Sequence, residues 1–249
     1  MIKPIVLITG AGRGIGAQTA LLAARRGYRV AVNYRRDHDA AHRVARQIAD
    51  EGGEALLLQA DVADEAAVMC MFDQLDDSWG RLYALVNNAG VLERQTGLEG
   101  IDGERLQRVF STNVFGSFYC AREAVRRMST RHGGPGGSIV NLTSVAALGG
   151  SPNEYIDYAA SKGAVDSLTI GLAREVAAEG IRVNAVRPGF IYTEMHADGG
   201  EPTRVDRVKH QVPMQRGGSP GEVAEAVLWL LSEAAGYCTG TTIDVTGGR

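Results

Sequence analysis

The stretch IVLITGAGRGIG, residues 5–16, runs from an apolar segment through a glycine-rich turn into an apolar helical pattern. A short strand that is apolar at every position is covered on both faces, as in a parallel sheet packed between helices. Gly12, Gly14 and Ala17 satisfy the spacing G-x-G-x-x-G/A. There the missing side chains let the backbone approach a pyrophosphate, and the helix N-terminus stabilises its charge. Any tight strand-to-helix turn also uses glycine, so the spacing alone is a weak signal. The strand before it and the helix after it supply the context of a dinucleotide loop. Gly10, Gly12, Arg13, Gly14, Ile15 and Gly16 are the cofactor-facing residues it predicts.

Working outward, the same alternation continues to the end of the chain. Strand-like runs occupy 5–10, 29–34, 55–60, 82–87, 138–143, 181–186 and 241–246, with helical periodicity at 15–26, 38–51, 64–78, 103–129, 158–179 and 219–232. This order predicts a single α/β domain over residues 1–249, a Rossmann-type doubly wound fold with a seven-stranded parallel sheet and helices on both faces. No internal repeat or linker marks a second domain. The segment 190–216, with Gly199, Gly200, Pro202 and Pro213, is the least regular and reads as a substrate lid.

Composition agrees with a globular chain: 45% apolar and 22% charged residues, with 32 glycines among 249 residues. That is about twice the usual ~7% glycine, in use for turns and close contacts. The formal net charge of −3 advertises neither nucleic acid nor an anionic membrane. The longest apolar run, AVLWLL at 226–231, is far short of the ~20 residues a membrane span needs. A strand starting at Ile5 leaves no room for a leader peptide, and the scattered Cys70, Cys120 and Cys238 suit reduced thiols of a cytoplasmic protein.

Ligands in such a sheet collect beyond the carboxyl ends of the strands. The second strand ends in Asn33, Tyr34, Arg35 and Arg36, with no carboxylate until Asp37. An acidic residue there would hold the ribose 2′-hydroxyl of NAD, whereas guanidinium groups suit the 2′-phosphate of NADP. Arg13 reaches the same corner, so the expected cofactor is NADP(H); solvated surface charge is the other reading of these arginines. After the third strand, Asp61 with Val62 can meet the adenine amine or cap the next helix. After the fourth, Asn88, Ala89 and Gly90 form a polar turn at the same edge.

Tyr158 and Lys162 stand four apart in EYIDYAASK (154–162), on one face of a helix with Val165 and Val176. A free phenol has a pKa of about 10, and bringing it near 7 needs about 4 kcal/mol of differential interaction. A close ammonium in a desolvated site supplies interactions of that size. Tyr158 is therefore the predicted general acid and base, while Tyr155, with no cation at its own i+4 position, reads as packing. Ser144 at the end of the fifth strand can hold a substrate oxygen. Asn113, mid-helix, has to be partnered, as a backbone clip or as a water anchor toward Lys162.

In combination these motifs resemble the short-chain dehydrogenase/reductase family, in order and over nearly the whole chain. The resemblance implies Asn113, Ser144, Tyr158 and Lys162 as the catalytic set, with Tyr158 and Lys162 also against the cofactor. It implies that RPGFIYTEM (187–195) holds the nicotinamide through Pro188, Gly189, Ile191 and Thr193. It further implies a homotetramer built through the two long helices (103–129 and 158–179) and the last strand. The NYRR ending is similar to NADP-capable sugar-dehydrogenase-like and uncharacterised oxidoreductase members. Glu179 stands where the β-ketoacyl-carrier-protein reductases present a basic residue, which speaks against docking of an acidic carrier. Glu93, Glu154, Tyr155, Tyr192 and His196 are expected, by position, to line a polar pocket for a small carbonyl or alcohol substrate.

His38 and His42 have a metal-compatible i, i+4 spacing but no evident third ligand, so no metal is expected. No G-x-S-x-G elbow surrounds Ser144, which excludes that hydrolase class. The competing class is an NADP-binding sensor or scaffold without turnover, and such a protein would be expected to lose the tyrosine or lysine first.

Overall fold

The computed structural model describes residues 3–249. Seven strands form one sheet: β1 (Ile5–Ile8), β2 (Arg29–Tyr34), β3 (Glu54–Gln59), β4 (Ala84–Asn87), β5 (Gly137–Leu142), β6 (Ile181–Pro188) and β7 (Thr242–Val245). Their order is β3-β2-β1-β4-β5-β6-β7, and every pairing is parallel. The main helices are α1 (Gly14–Arg25), α2 (His38–Asp50), α3 (Glu65–Trp79), α4 (Gly103–Phe110), α5 (Gly116–Met128), α6 (Ala146–Gly149), α7 (Ile156–Val176), α8 (Met195–Asp198), α9 (Arg204–Val208) and α10 (Pro220–Leu231). The fold is thus the α/β, Rossmann-type seven-stranded arrangement read from the sequence.

Side-chain alternation explains why the strands read as unbroken apolar runs. Val6 and Ile8 of β1 enter a core shared with α1, α2 and α10, whereas Ile5 and Leu7 enter a second core shared with α3, α5 and α7. Both faces are covered, so both parities are buried, and polar residues among them, such as Asn141 and Asn184, are hydrogen-bonded. β1 and β4 are neighbours, in register from Val6 with Ala84 to Ile8 with Val86. The winding direction reverses there, and the crevice at the carboxyl ends of these two strands is the place for a ligand.

Two long elements differ from their sequence reading. The helix expected over 103–129 is interrupted by a π-turn, Ser111–Phe115, between α4 and α5. The segment 190–216 is not irregular: it carries α8, α9 and a 3₁₀ turn at Lys209–Gln211.

Candidate active site

The glycine loop takes its shape from backbone freedom and from polar side chains spent on the backbone. Gly10 and Gly14 have φ of 62° and 54°, in the left-handed region. A Cβ on Gly16 would lie 2.5 Å from both Asn88 Nδ2 and the Gly10 carbonyl oxygen. The Thr9 hydroxyl accepts from the amides of Asn88 and Ala89, both at 3.0 Å, and so ties the β4 turn to β1. Asn88 Nδ2 donates to the carbonyls of Thr9 (2.8 Å) and Gly10 (3.1 Å). Asn33 accepts from the Gly10 amide (3.1 Å) and donates to the Leu58 and Ala60 carbonyls. The side chains of Asn33 and Asn88 are therefore braces that shape the loop. Thr9 was missed by the sequence reading; a buried hydroxyl at a strand end, which must be satisfied, was the available signal.

Beside this loop runs a groove of about 380 Å³, walled by Arg13, Arg35 and Arg36 together with Gly12, Gly14, Tyr34, Asp61, Val62, Ala89 and Gly90. Helices α2, α3, α4 and α10 have side-chain caps from Asp37, Asp64, Asp102 and Ser219. At α1 the N-cap is Arg13, with no side-chain cap and no acidic residue in the first turn. Free amide donors and a helix N-terminus thus face the groove, a cradle for phosphate. Arg35 lies 3.6 Å from Asp61, Arg13 pairs with Asp198 of α8, and Arg36 has no carboxylate partner among the described residues. Asp61 does not cap α3: its Oδ1 accepts from Ala63 N, and Asp64, three residues on, is the cap. Tyr34 bonds to His38 Nδ1 at 2.7 Å, and the His38 ring stacks edge-on with His42.

A second cavity, of about 590 Å³, is lined by Ser144, Tyr158 and Lys162, and by Pro188, Gly189, Ile191 and Thr193. Ile15, Asn88, Thr193 and Met195 wall both cavities, which are therefore contiguous. Tyr158 lies in the first turn of α7, and Lys162, 4% exposed, follows one turn later on the same face. Lys162 Nζ donates to the Leu142 carbonyl at 2.7 Å and stands 5.7 Å from the Tyr158 ring centroid. Burial pushes the phenol up to about 12 against a lowering hydrogen bond from Ser144. Burial pushes the Lys162 ammonium down to about 8, against the attraction of Asp166. Desolvation is the dominant influence on the phenol, and Ser144 is the group that opposes it.

Asn113 lines neither cavity. Within the π-turn its Oδ1 accepts from Val91 N (2.8 Å), and its Nδ2 donates to Val91 O (3.1 Å) and Ser161 Oγ (3.0 Å). It fills the backbone-clip role and fixes the Gly90–Val91 turn against α7. Of the expected substrate residues, Glu154, Tyr155 and His196 line the larger cavity. Glu93 and Tyr192 do not: the Glu93 carboxylate turns out to Arg108 (2.8 Å), and the Tyr192 hydroxyl donates to Asp206 (3.0 Å). Arg204, unforeseen, reaches in from α9 to bind Glu154 through both terminal nitrogens (2.9 and 2.5 Å). Its guanidinium also covers the rings of Tyr155 and Phe190.

No helix of the described residues is long and apolar enough to cross a membrane. Residues 10–249 match a family model described as enoyl-(acyl carrier protein) reductase. The chain is 60% identical to the uncharacterized oxidoreductase YgfF of Escherichia coli K12, over 98% of this chain and 99% of that one. It is 39% identical to the 3-oxoacyl-(acyl-carrier-protein) reductase FabG of Staphylococcus aureus, over 97% and 96%. A short-chain type dehydrogenase/reductase from Mycobacterium marinum superimposes with a TM-score of 0.91 at 36% identity, over 98% of this chain and 94% of that one. The chain belongs to the short-chain dehydrogenase/reductase family of oxidoreductases.

Proposed function

We propose that this short-chain dehydrogenase/reductase is NADP(H)-dependent and interconverts a carbonyl with a secondary or primary alcohol, Tyr158 serving as general acid and base. The observation that carries this reading is the continuity of the two cavities, which puts Tyr158, Ser144 and Lys162 at the end of the groove walled by the glycine loop. The residues fit a dinucleotide: the uncapped α1 terminus and Gly12–Gly14 would take the pyrophosphate, Arg35 and Arg36 a 2′-phosphate. The first carboxylate after β2, Asp37, is spent on capping α2 through the Ala40 amide, which favours phosphate over a free ribose hydroxyl. Backbone at Ile191 and the Thr193 hydroxyl would hold the nicotinamide end. When bound, the cofactor supplies or accepts the hydride at the substrate carbon.

The remaining chemistry belongs to the chain. Ser144 orients the substrate oxygen beside the phenol. Held at about 12, Tyr158 keeps its proton at neutral pH and is ready to donate it to a carbonyl oxygen during reduction. In the oxidative direction the phenolate has to form, and the Lys162 ammonium one turn away is the cation placed to stabilise it. Asn113 keeps this geometry through its clip on Val91. The segment 190–216 would act as the lid, since Ile191, Thr193, His196 and Arg204 all face the cavity.

Glu179, paired with Arg131 at 3.3 Å, puts a carboxylate where carrier-protein reductases present a base, which favours a small free substrate. Leu106, Phe115, Phe118 and Ile170 are exposed apolar side chains on α4, α5, α7 and the π-turn, and support assembly into a tetramer through those helices.

The test is loss of NADPH absorbance across sugars, ketones, aldehydes and diketones, with NADH in parallel and Tyr158→Phe alongside. Turnover with NADPH that vanishes in the variant is expected. Turnover surviving in Tyr158→Phe would move the proton transfer elsewhere, and tight NADPH binding with no turnover on any carbonyl would favour a sensor.

A further inference from the structure

Lys162 is a buried ammonium with little to hold its charge. It has three protons to donate, and one protein acceptor meets them, the Leu142 carbonyl of β5. Being buried, it has also given up the water that would solvate it. The elements packed around it offer neutral groups. From β5 comes Thr143, whose hydroxyl donates to the Lys162 backbone carbonyl. From the π-turn comes the Asn113 amide, which borders Gly90 together with the ammonium. Tyr158, one turn earlier on α7, keeps its proton. Arg105 of α4 is bound to Asp157 through two nitrogens, at 2.7 and 3.0 Å.

The compensating charge lies one turn further along the helix. Asp166 is at i+4 from Lys162 within α7, which puts the two Cβ atoms ~5–6 Å apart on one face. Its Oδ2 accepts from Arg187 of β6 at 3.1 Å, and Arg187 also donates to Asp244 of β7 at 2.7 Å. Arg187 and Asp244 are register partners, and Arg187 shares its strand face with Ile181 and Val183, which pack against α7. The charges here do not cancel: one guanidinium stands between two carboxylates, so one negative charge is left over. Asp244 makes the shorter bond and is 47% exposed, whereas Asp166 is 17% exposed and its Oδ1 has no partner. A carboxylate needed only to neutralise Arg187 would be redundant beside Asp244. The excess lies on the Lys162 side, where its attraction opposes the effect of burial.

Resting on the carbonyl–alcohol reading above, we propose that Asp166 is a positioning residue for the reaction: held by Arg187, it keeps Lys162 a cation beside Tyr158. Asp166 touches neither the substrate nor the cofactor and acts through the lysine. Tyr158, Lys162 and Asp166, each four residues on, thus form a line along α7 of proton donor, cation and counter-charge. Reduction ends on a phenolate and oxidation begins from one, and in both the ammonium is the stabilising charge. Without the carboxylate, desolvation would turn more of the lysine neutral in the range where the enzyme has to work.

The test reads the charge on Lys162 without needing turnover. Urea unfolding of the wild type and of Lys162→Met is compared across about pH 6 to 10. Their stability difference begins to rise at the pH where the folded lysine releases its proton. The same comparison is made in an Asp166→Asn background, where that onset is expected to move to lower pH by roughly half a unit to one unit. Asp166→Glu keeps the charge and should restore the wild-type onset. Asp244→Asn removes an equal charge on the far side of Arg187 and should move it less than half as far. Where an alcohol is oxidised with NADP+, the alkaline limb of kcat/KM in Asp166→Asn should move in the same direction as the onset. An onset that stays in place in Asp166→Asn would overturn the proposal, as would one that Asp244→Asn moves equally or that Asp166→Glu fails to restore. A limb that stays while the onset moves would remove the residue from the reaction. Failure of Asp166→Asn to fold would mark the carboxylate as a strut for Arg187 and overturn the proposal too. Absence of turnover on every carbonyl would instead count against the reaction, and the unfolding onset would still decide whether Asp166 holds the charge.

Discussion

The glycine-loop groove and the reacting cavity share a wall but are built from different material. The groove is made of backbone amides, glycines and arginines that stand about half in water; the Arg13 and Arg35 side chains are 52% and 46% exposed. The reacting cavity is made of side chains whose charges have been withdrawn from water, with Tyr158 at about 12 and Lys162 at about 8. Screened charges interact weakly, while buried ones are decided by desolvation. The two regions should therefore respond to mutation on different scales, and in the groove sterics should outweigh charge.

The largest expected effect is the loss of Tyr158. Tyr158→Phe removes the proton donor and little else, and turnover should fall by about 10²–10⁴-fold with NADPH affinity nearly intact. Next is Gly16→Ala. Its methyl would meet Asn88 Nδ2 and the Gly10 carbonyl at 2.5 Å, and the carbonyl is backbone that cannot swing aside. A stability loss of about 3 kcal/mol is expected on denaturant unfolding, together with weakened NADPH binding. If Gly16→Ala proved harmless, the claim that the groove is shaped by backbone contact would fail.

A pH titration sharpens the contrast on the side of the cavity. Folding lowers the Lys162 value from 10.5 to about 8. Above pH 8 the unfolded chain thus still binds a proton that the folded chain has released, and stability rises with pH. The opposite contribution of Tyr158, whose folded value lies above its unfolded one, begins only near pH 10. Between pH 8 and 10 the wild type should gain about 2 kcal/mol on Lys162→Met, measured by urea unfolding of both. A flat difference would mean that the lysine is not desolvated. The smallest effect belongs to the groove's charges: Arg36→Ala should weaken NADPH about fivefold, leave NADH unchanged, and lose its influence at high salt, as fluorescence titration would show.

The same division sets what could be read from the sequence. The strands were legible because burial on both faces leaves a local signature, and the glycine loop because its spacing is local. Tyr158 and Lys162 were legible because four residues on a helix is a contact in itself. The π-turn at Ser111–Phe115 has no such signature, since it is fixed by the clip between Asn113, Val91 and Ser161, residues far apart in the chain. Arg204 was invisible for a similar reason: its partner Glu154 lies 50 positions earlier. Glu93 and Tyr192 were placed by proximity in sequence, and surface ion pairing and hydrogen bonding took them elsewhere. The phenol's upward displacement depends on how many atoms exclude water from it, a sum over the whole fold.

The strand order also has a consequence for how the chain is made. β1 lies between β2, which follows it closely, and β4, which begins only at Ala84. A nascent chain emerging from its N-terminus can pair β1, β2 and β3 early, leaving the inner edge of β1 without a partner until β4 has been synthesised. An unpaired parallel edge is a template for aggregation, and its closure over so long a loop is slow. The edge that becomes the ligand crevice thus stays open until β4 has been made, and assistance during synthesis would count there.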